Sequence, residues 1–536
     1  MNQNMGKEIG WKNFLAVPVG CKIDWFSKDG AGYIKFWEIA SYSKYYSGTT
    51  QSEFMHALAE LREFYNLDEN NILTIYIDNT NVIKGFFADY VTLEIPNISV
   101  TISHSVRFNS IKQWDNTVES VFEIRDRARQ IISHVFKEDN AIFLTPNQML
   151  RKHIRDKKCK LVDDIQPKTY QEYSDFRHAL YGGYNYMPYK YRVYDQPLIY
   201  TDLTSAYIWC IYAKKHFISP LRKETPYYSL KENEGSIGKY KIKYKTASSK
   251  CHSFKDIVDN NLEKGEHVVT IWLTDIDLKT LMTIVEIESI ECIKLYVGEL
   301  GYIPKEIADV LIDEFIKKQV YKETRNPNLD IQKATVNGVY GNMLCKVNSK
   351  EEFKAKRNRL PMPVQWGIYT VSYCKELIVS TGNQLDGWLM SATDSIVCYD
   401  TPKNRDILNK VNLEISTLCM DAADRYEHDF SKISKLGTFD TEYISKWIGF
   451  QTGQYAYTDS EGEVHIKGLK DESKLANIKD VYSLKSLPSS SITLPMFNKE
   501  TTTCTIDGKT YTSYGSYFER IVNDEVSAAF YMATGL

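Results

Sequence analysis

Asp202 closes a tyrosine-rich apolar run, and the chain there reads Y-T-D-L-T-S-A-Y over 200–207. A carboxylate at a strand end, followed by a turn with exposed amides, can hold a divalent cation beside a phosphate tail. A second segment, K-A-T-V-N-G-V-Y-G over 333–341, has helical spacing. Lys333, Asn337 and Tyr340 then share a face, where a cation and a phenol ring suit a triphosphate and a base or sugar. The third segment is S-A-T-D-S-I-V over 391–397, an apolar run broken by a turn, with Asp394 expected near a hairpin tip. Carboxylates on neighbouring strands can clamp two metal ions ~3.5–4 Å apart for an in-line phosphoryl displacement. Mg²⁺ suits such a site, because it takes few carboxylates plus substrate phosphates. Each segment also has an ordinary reading. A strand-end Asp is commonly a turn residue or helix cap, N-x-x-Y-G a packed helix with a Gly stop, and Asp-Ser plain turn chemistry. Their order and spacing along one chain are far more specific than any one of them.

The elements that must carry these residues are legible in outline. Residues 1–165 read as a mixed α/β unit, with a β-rich run over 70–78 and further strands in YVTLEI and ISVTISH. Residues 118–136 have helical spacing, with Val121, Ile124, Ala128, Ile131 and Ile132 on one side. The basic stretch RKHIRDKKCK over 151–160 reads as a solvated linker or helix end. From about 166 the texture changes to a Gly pair, a tyrosine-rich segment and a strand ending at Asp202. HVVTIWLTDIDLKTLM and SIECIKLYVGEL read as strand, helix, strand. Residues 305–324 predict a helix carrying Ile307, Leu311 and Phe315 at i, i+4 and i+8. Asn326-Pro327 ends it, a second helix follows, and QWGIYTVSYCKELIVSTG is helical again.

Composition bounds the function classes. At roughly 100–200 residues per domain, 536 residues predict three or four folding units or one multi-lobed enzyme. Charged residues at 25% and hydrophobic ones at 43% exclude a mainly disordered chain. No apolar run approaches the ~18–20 residues of a membrane span, and the N-terminus lacks a basic-then-apolar leader, so a cytoplasmic setting is expected. Ten cysteines without a C-x-x-C pair argue against a zinc ribbon. With a net charge of −3, a nucleic-acid binder must concentrate its Lys and Arg in a groove. The 38 tyrosines could include base-stacking platforms, although coding bias accounts for such a count more readily.

Taken together, the motifs resemble the protein-primed family B DNA polymerases of small phages and linear plasmids. DLTSAY resembles that family's D-x-x-S-L-Y-P, KATVNGVYG its K-x-x-x-N-S-x-Y-G, and SATDS its Y-x-D-T-D-S. The likeness runs in order from about Phe176 to Lys470 and includes YGGY over 181–184, W-L-T-D-I-D-L, and QYAYTDSEGEVHIKGLK. It implies an α/β, multi-domain, right-hand polymerase with palm, fingers, thumb and an N-terminal RNase H-like exonuclease-type domain. The boundaries expected are 1–165 for a degenerate exonuclease-like domain, 166–225 and 364–472 for the palm, and 226–304 for a terminal-protein-contacting insertion. Residues 305–344 would be fingers, 345–363 a shortened hairpin insertion, and 473–536 the thumb. Asp202 and Asp394 would hold two Mg²⁺ (or Mn²⁺) ions. Leu203 and Thr204 would offer amides to the triphosphate, with Ser205 and Asn337 as supporting polar groups. Tyr207 would exclude a ribose 2′-hydroxyl, Lys333 would hold phosphates, and Tyr340 would pack on the nascent base pair. Tyr455, Gly182 and Gly183 would meet the primer or template. Lys354, Lys356 and Arg357 of a basic loop would contact DNA phosphates. The partners implied are template and primer DNA, dNTPs and a terminal protein, with the chain a monomer or a heterodimer with that protein. If viral, it would work in the host cytoplasm.

Several positions depart from the family's pattern. The first Asp of D-T-D is Ala392, the proline after the steric-gate tyrosine is Ile208, and the fingers serine is Gly338. The lysine position of K-x-Y is Gly453, and the tyrosine position of Y-x-G-G is Leu180. Ala392 leaves two readings: a natural chain that works with two aspartates, or one whose aspartate was replaced. The intact residues around it lean toward the second. In the N-terminal domain Glu38 is a possible exonuclease ligand, but Ala40 and Ile83 stand where acids would be. Asn79 matches, and Asp126 is retained with Phe122 in place of Tyr. Two such ligands are too few for a two-metal nuclease, so no proofreading is expected. The competing functions are a polymerase-like binding protein without chemistry and a template-independent nucleotidyltransferase.

Overall fold

The protein is described from a computed structural model that covers residues 14–15, 19–28, 31–65, 72–77, 106–110, 120–129, 146–189, 192–227, 234–247, 250, 254, 267–326, 329–344, 347, 349–356, 362–451, 454–467, 496–506 and 509–519. It is a mixed α/β, multi-domain fold that separates into two compact units. One comprises Met1–Met149, Tyr321–Thr335 and Ser491–Asn523, and the other Leu150–Val320, Val336–Ser490 and Asp524–Leu536.

The first unit is built on a six-stranded sheet of β1 (Phe14–Leu15), β2 (Gly20–Lys28), β3 (Ala31–Ala40), β4 (Tyr45–Gly48), β5 (Ile72–Ile77) and β6 (Val106–Ser110). β5 pairs in parallel with β1, β2 and β6, whereas β2, β3 and β4 form an antiparallel meander. Helix α1 (Gln51–Phe64) starts at a capping box in which Thr50 and Glu53 satisfy each other's backbone amides. It buries Phe54, Leu58 and Leu61, one face at i, i+4, i+7. Helical residues 121–129 bury Val121, Ile124 and Ala128, the face expected from spacing. Ile131, Ile132 and the strands expected in YVTLEI and ISVTISH lie outside the described residues.

The second unit begins in α2 (Pro146–Asp156). The stretch read as a linker is helical to Asp156, because Leu150 and Ile154, one turn apart, are both buried. Helix α3 (Tyr170–His178) leads through the Gly pair into β7 (Tyr184–Tyr186) and β8 (Val193–Leu203). After α4 (Ala206–Ala213) come β9 (Arg222–Glu224), β10 (Ser236–Ala247), β11 (Val268–Thr274), α5 (Asp275–Met282) and β12 (Val285–Val297). These four strands form their own antiparallel sheet in the order β9-β12-β10-β11. Helices α6 (Lys305–Glu323), α7 (Leu329–Met343), α8 (Lys350–Lys356) and α9 (Val364–Gly382) follow. The basic stretch expected as a loop therefore contains a short helix, which buries Phe353. The chain then adds β13 (Met390–Thr393), β14 (Ser395–Tyr399), α10 (Pro402–Tyr426), β15 (Phe439–Gln451), β16 (Gln454–Asp459) and β17 (Val464–Lys467).

Seven of these strands make the central sheet, in the order β17-β16-β15-β8-β14-β13-β7. β8 lies in its middle, paired with β14 on one side and β15 on the other. Successive residues of a strand point to opposite faces. Ile199 and Leu203 accordingly join the large core beneath α4 and α9, while Leu198 and Tyr200 join a smaller cluster with Met390, Val397 and Trp447 on the other face. Among the described residues no helix is long and apolar enough to cross a membrane.

Candidate active site

The register of the central sheet sets one row of residues across four strands. Ala392 on β13 is opposite Ser395 on β14, Ser395 is opposite Asp202 on β8, and Asp202 is opposite Asp440 on β15. Residues directly opposite in antiparallel pairs share a face, so this row presents Asp202 at the sheet's centre. Asp394 occupies the single position between β13 and β14. Its amide donates to Ala392 O at 2.8 Å, and its carbonyl accepts from Leu203 N–H at 3.0 Å. That tight turn places Thr393 at φ +63°, a left-handed conformation unfavourable for a β-branched residue. Ser205, just past Asp202, is also left-handed at φ +55°. Backbone strain of this kind concentrates at functional sites, and here it flanks both aspartates.

The Asp202 and Asp394 side chains share a hydrogen bond. Burial, and then for Asp202 the neighbouring Asp394 charge, hold both carboxyl groups well above the ordinary carboxylate range. A cation beside the two carboxyl groups would favour their charged forms and oppose that shift.

A cation does approach them. Ile307, Leu311 and Phe315 form the buried face of α6, as their spacing predicted, and Lys318 continues that face three residues on. Its ammonium donates to Ser205 Oγ at 2.8 Å and lowers the pKa of both aspartates. The donor set is thus hard oxygen, partly buried, short of positive charge and flanked by lysine. It fits a divalent ion of the Mg²⁺ or Mn²⁺ type.

Tyr207, in the first turn of α4, stacks on Tyr340 of α7 with ring centroids 4.6 Å apart and planes 15° from parallel. Gly182 has φ +72°, and Gly183 leans on the Asp394 hairpin: a Cβ there would lie 2.7 Å from Thr393 Cγ2. Asn337 and Lys333 are exposed on α7, Lys333 within the stretch that belongs to the first compact unit. Lys354 is exposed on α8 and Lys356 ends that helix, whereas Arg357 lies outside the described residues.

Two expectations change. The Leu203 and Thr204 amides are already bonded, to Asp394 O and Thr438 O, each at 3.0 Å. Sheet pairing runs to the end of β8 and uses them, so neither is open to a phosphate. The amides that helix geometry leaves without an intrahelical acceptor are those of the first turn of α4, from Ala206 to Ile208. Tyr455 is 7% exposed, with its hydroxyl 3.2 Å from that of Tyr200. It packs in the smaller core cluster rather than standing on a primer-facing surface. Lys318 and Asp440 were not found from the sequence. The helical spacing that marked Phe315 carried the signal for Lys318, had a lysine been allowed on an inward face.

No family model and no curated protein matches the chain. Solved structures do. Phi29 DNA polymerase complexed with primer-template DNA aligns with a TM-score of 0.57 at 12% identity, covering 93% of this chain and 99% of that one. The ternary complex of the same polymerase with incoming nucleotide aligns equally well, over 95% and 100%. Its complex with single-stranded DNA gives a TM-score of 0.56, also at 12% identity and over 95% and 100%. The chain therefore has the fold of phi29 DNA polymerase over nearly its whole length.

Proposed function

We propose that this chain is a DNA-templated DNA polymerase, started from a protein hydroxyl, that replicates a linear phage or plasmid genome without proofreading. The observation that carries the polymerase reading is the joined pair of Asp202 on β8 and Asp394 in the turn of the β13–β14 hairpin beside it, with Lys318 close by. Asp202 and Asp394 would hold two Mg²⁺ or Mn²⁺ ions, which supply Lewis-acid stabilisation of the attacking and leaving oxygens. The protein's own part is positioning. The first-turn amides of α4 and the Lys318 ammonium bind the phosphate tail of a dNTP. Tyr207 closes the space beside the sugar, and Tyr340 backs it. A primer 3′-OH, or a Ser, Thr or Tyr hydroxyl of a terminal protein, attacks the α-phosphate, and pyrophosphate leaves. Protein priming and the Lys333 phosphate contact rest on the motif resemblance, with the separate β9–β12 sheet as the surface offered to the terminal protein.

Ala392 favours a second reading, a polymerase-like binding protein without chemistry. Primer extension with labelled dNTPs in Mg²⁺ and in Mn²⁺ tests both. The polymerase reading expects template-directed extension that is lost in Asp202→Asn. No extension in the wild type or in Ala392→Asp selects the binding protein. Extension that ignores the template selects a terminal transferase.

A further inference from the structure

We propose that Asp440 is the third carboxylate of this divalent-cation site, supplied from β15 because Ala392 on β13 has none. The inference rests on the polymerase reading and adds a ligand to it. Asp440 is directly opposite Asp202, in the row that ends at Ala392. Directly opposite residues of an antiparallel pair have Cα atoms ~4.5–5.5 Å apart. Position 392 stands two strands from Asp202, and at ~4.8 Å per strand that is roughly twice as far. Asp440 is therefore nearer to the central aspartate than a carboxylate at 392 would be.

The strand is held in that register. Thr201 Oγ1 donates to Asp440 O at 3.1 Å, and Thr201 and Thr441 hydroxyls lie 3.2 Å apart. The Asp440 side chain itself is exposed and so open to an ion. Like charges directly opposite each other destabilise a sheet pair. A cation between them turns that repulsion into ligation. Nothing in the linear spacing of D-x-x-S and T-D-S marks Asp440; the strand register does.

Mn²⁺ titration followed by the EPR signal of the free ion tests this on the full chain without substrate. Asp440→Asn should weaken Mn²⁺ binding about tenfold or more, because even the hydrogen-bonded partners behind a metal ligand are worth ~10–100-fold in affinity. Asp440→Glu should keep most of the affinity. Asp406→Asn, an exposed acid on α10 paired with Lys410, should change nothing. Unchanged Mn²⁺ binding in Asp440→Asn, alongside clear weakening in Asp202→Asn, overturns the assignment and leaves the two-aspartate site standing. Unchanged binding in both variants removes the metal site, and this inference with it.

Discussion

Burial holds the Asp202 and Asp394 carboxyl groups above their ordinary pKa, and this fixes the sign of a pH effect. Their folded pKa values are raised, so between the ordinary carboxylate value of 3.8 and the raised ones the native state binds more protons. Stability from this pair is therefore present at low pH and lost as pH rises through that window. Without divalent ions, we expect wild-type melting temperature to fall relative to an Asp202→Asn/Asp394→Asn double variant between pH 4 and pH 7. Mg²⁺ should raise the wild-type value more at pH 8 than at pH 5. Equal Mg²⁺ effects at both would mean the pair does not take up the ion. Tyr207 gives a second residue-level expectation. Its ring is stacked on Tyr340, and losing that contact costs ~0.5–1.5 kcal/mol. Tyr207→Val should thus lower dNTP use by up to about tenfold, while the preference for dNTP over rNTP falls much further. If both nucleotides lose equally, the ring serves packing alone.

The β13–β14 hairpin shows what the sequence could and could not convey. An apolar run with a turn at Asp394 was readable, as were the apolar faces of α6 and the 121–129 helix, because periods of 2 and 3.6 are local properties. The row Ala392–Ser395–Asp202–Asp440 was not, because it depends on pairings between strands far apart in the chain. The Leu203 and Thr204 amides were misassigned for the same reason: their acceptors, Asp394 and Thr438, come from elsewhere in the fold. Lys318 escaped because charged residues are usually assigned to the solvent side. The hairpin also depends on Gly183, whose missing side chain makes room for Thr393. Gly183→Val must displace Thr393 and with it Asp394. Overpacking of this kind costs ~1–3 kcal/mol, which should lower the melting temperature modestly. A misplacement of ~1 Å at a reacting group can cost 10²-fold, so primer extension should fall far more than stability does. Near-normal extension would show that the hairpin tolerates the shift.

The two compact units differ in what their acids do, and the difference bears on proofreading. In the first unit, Glu38 accepts a hydrogen bond from Tyr45 at 2.6 Å, and Asp126 accepts one from Tyr42 at 2.6 Å while pairing with Arg125 at 2.9 Å. Ala40, where a second acid would stand, is fully buried, and Asn79 and Ile83 lie outside the described residues. Among the described residues, the one trio of metal-ligating side chains whose donor atoms all lie within 4.8 Å of one another is in the other unit, at Glu442, Asp459 and His465. There, a 2.7 Å bond from His465 to Asp459 and a 3.1 Å bond from Tyr457 to Glu442 already satisfy the groups. A two-metal nuclease needs carboxylates free to face an ion. Glu38 and Asp126 are instead spent on tyrosines, and Arg125 neutralises the second of them. We therefore expect purified protein with Mg²⁺ to leave a labelled single-stranded oligonucleotide intact over times that allow full primer extension. Asp126→Asn should lose an ion pair with Arg125 that is worth ~0–1 kcal/mol at the surface, and should leave extension unchanged. Degradation that disappears in Asp126→Asn would show instead that the first unit retains a working nuclease, and that Tyr42 and Arg125 give way when metal and DNA arrive.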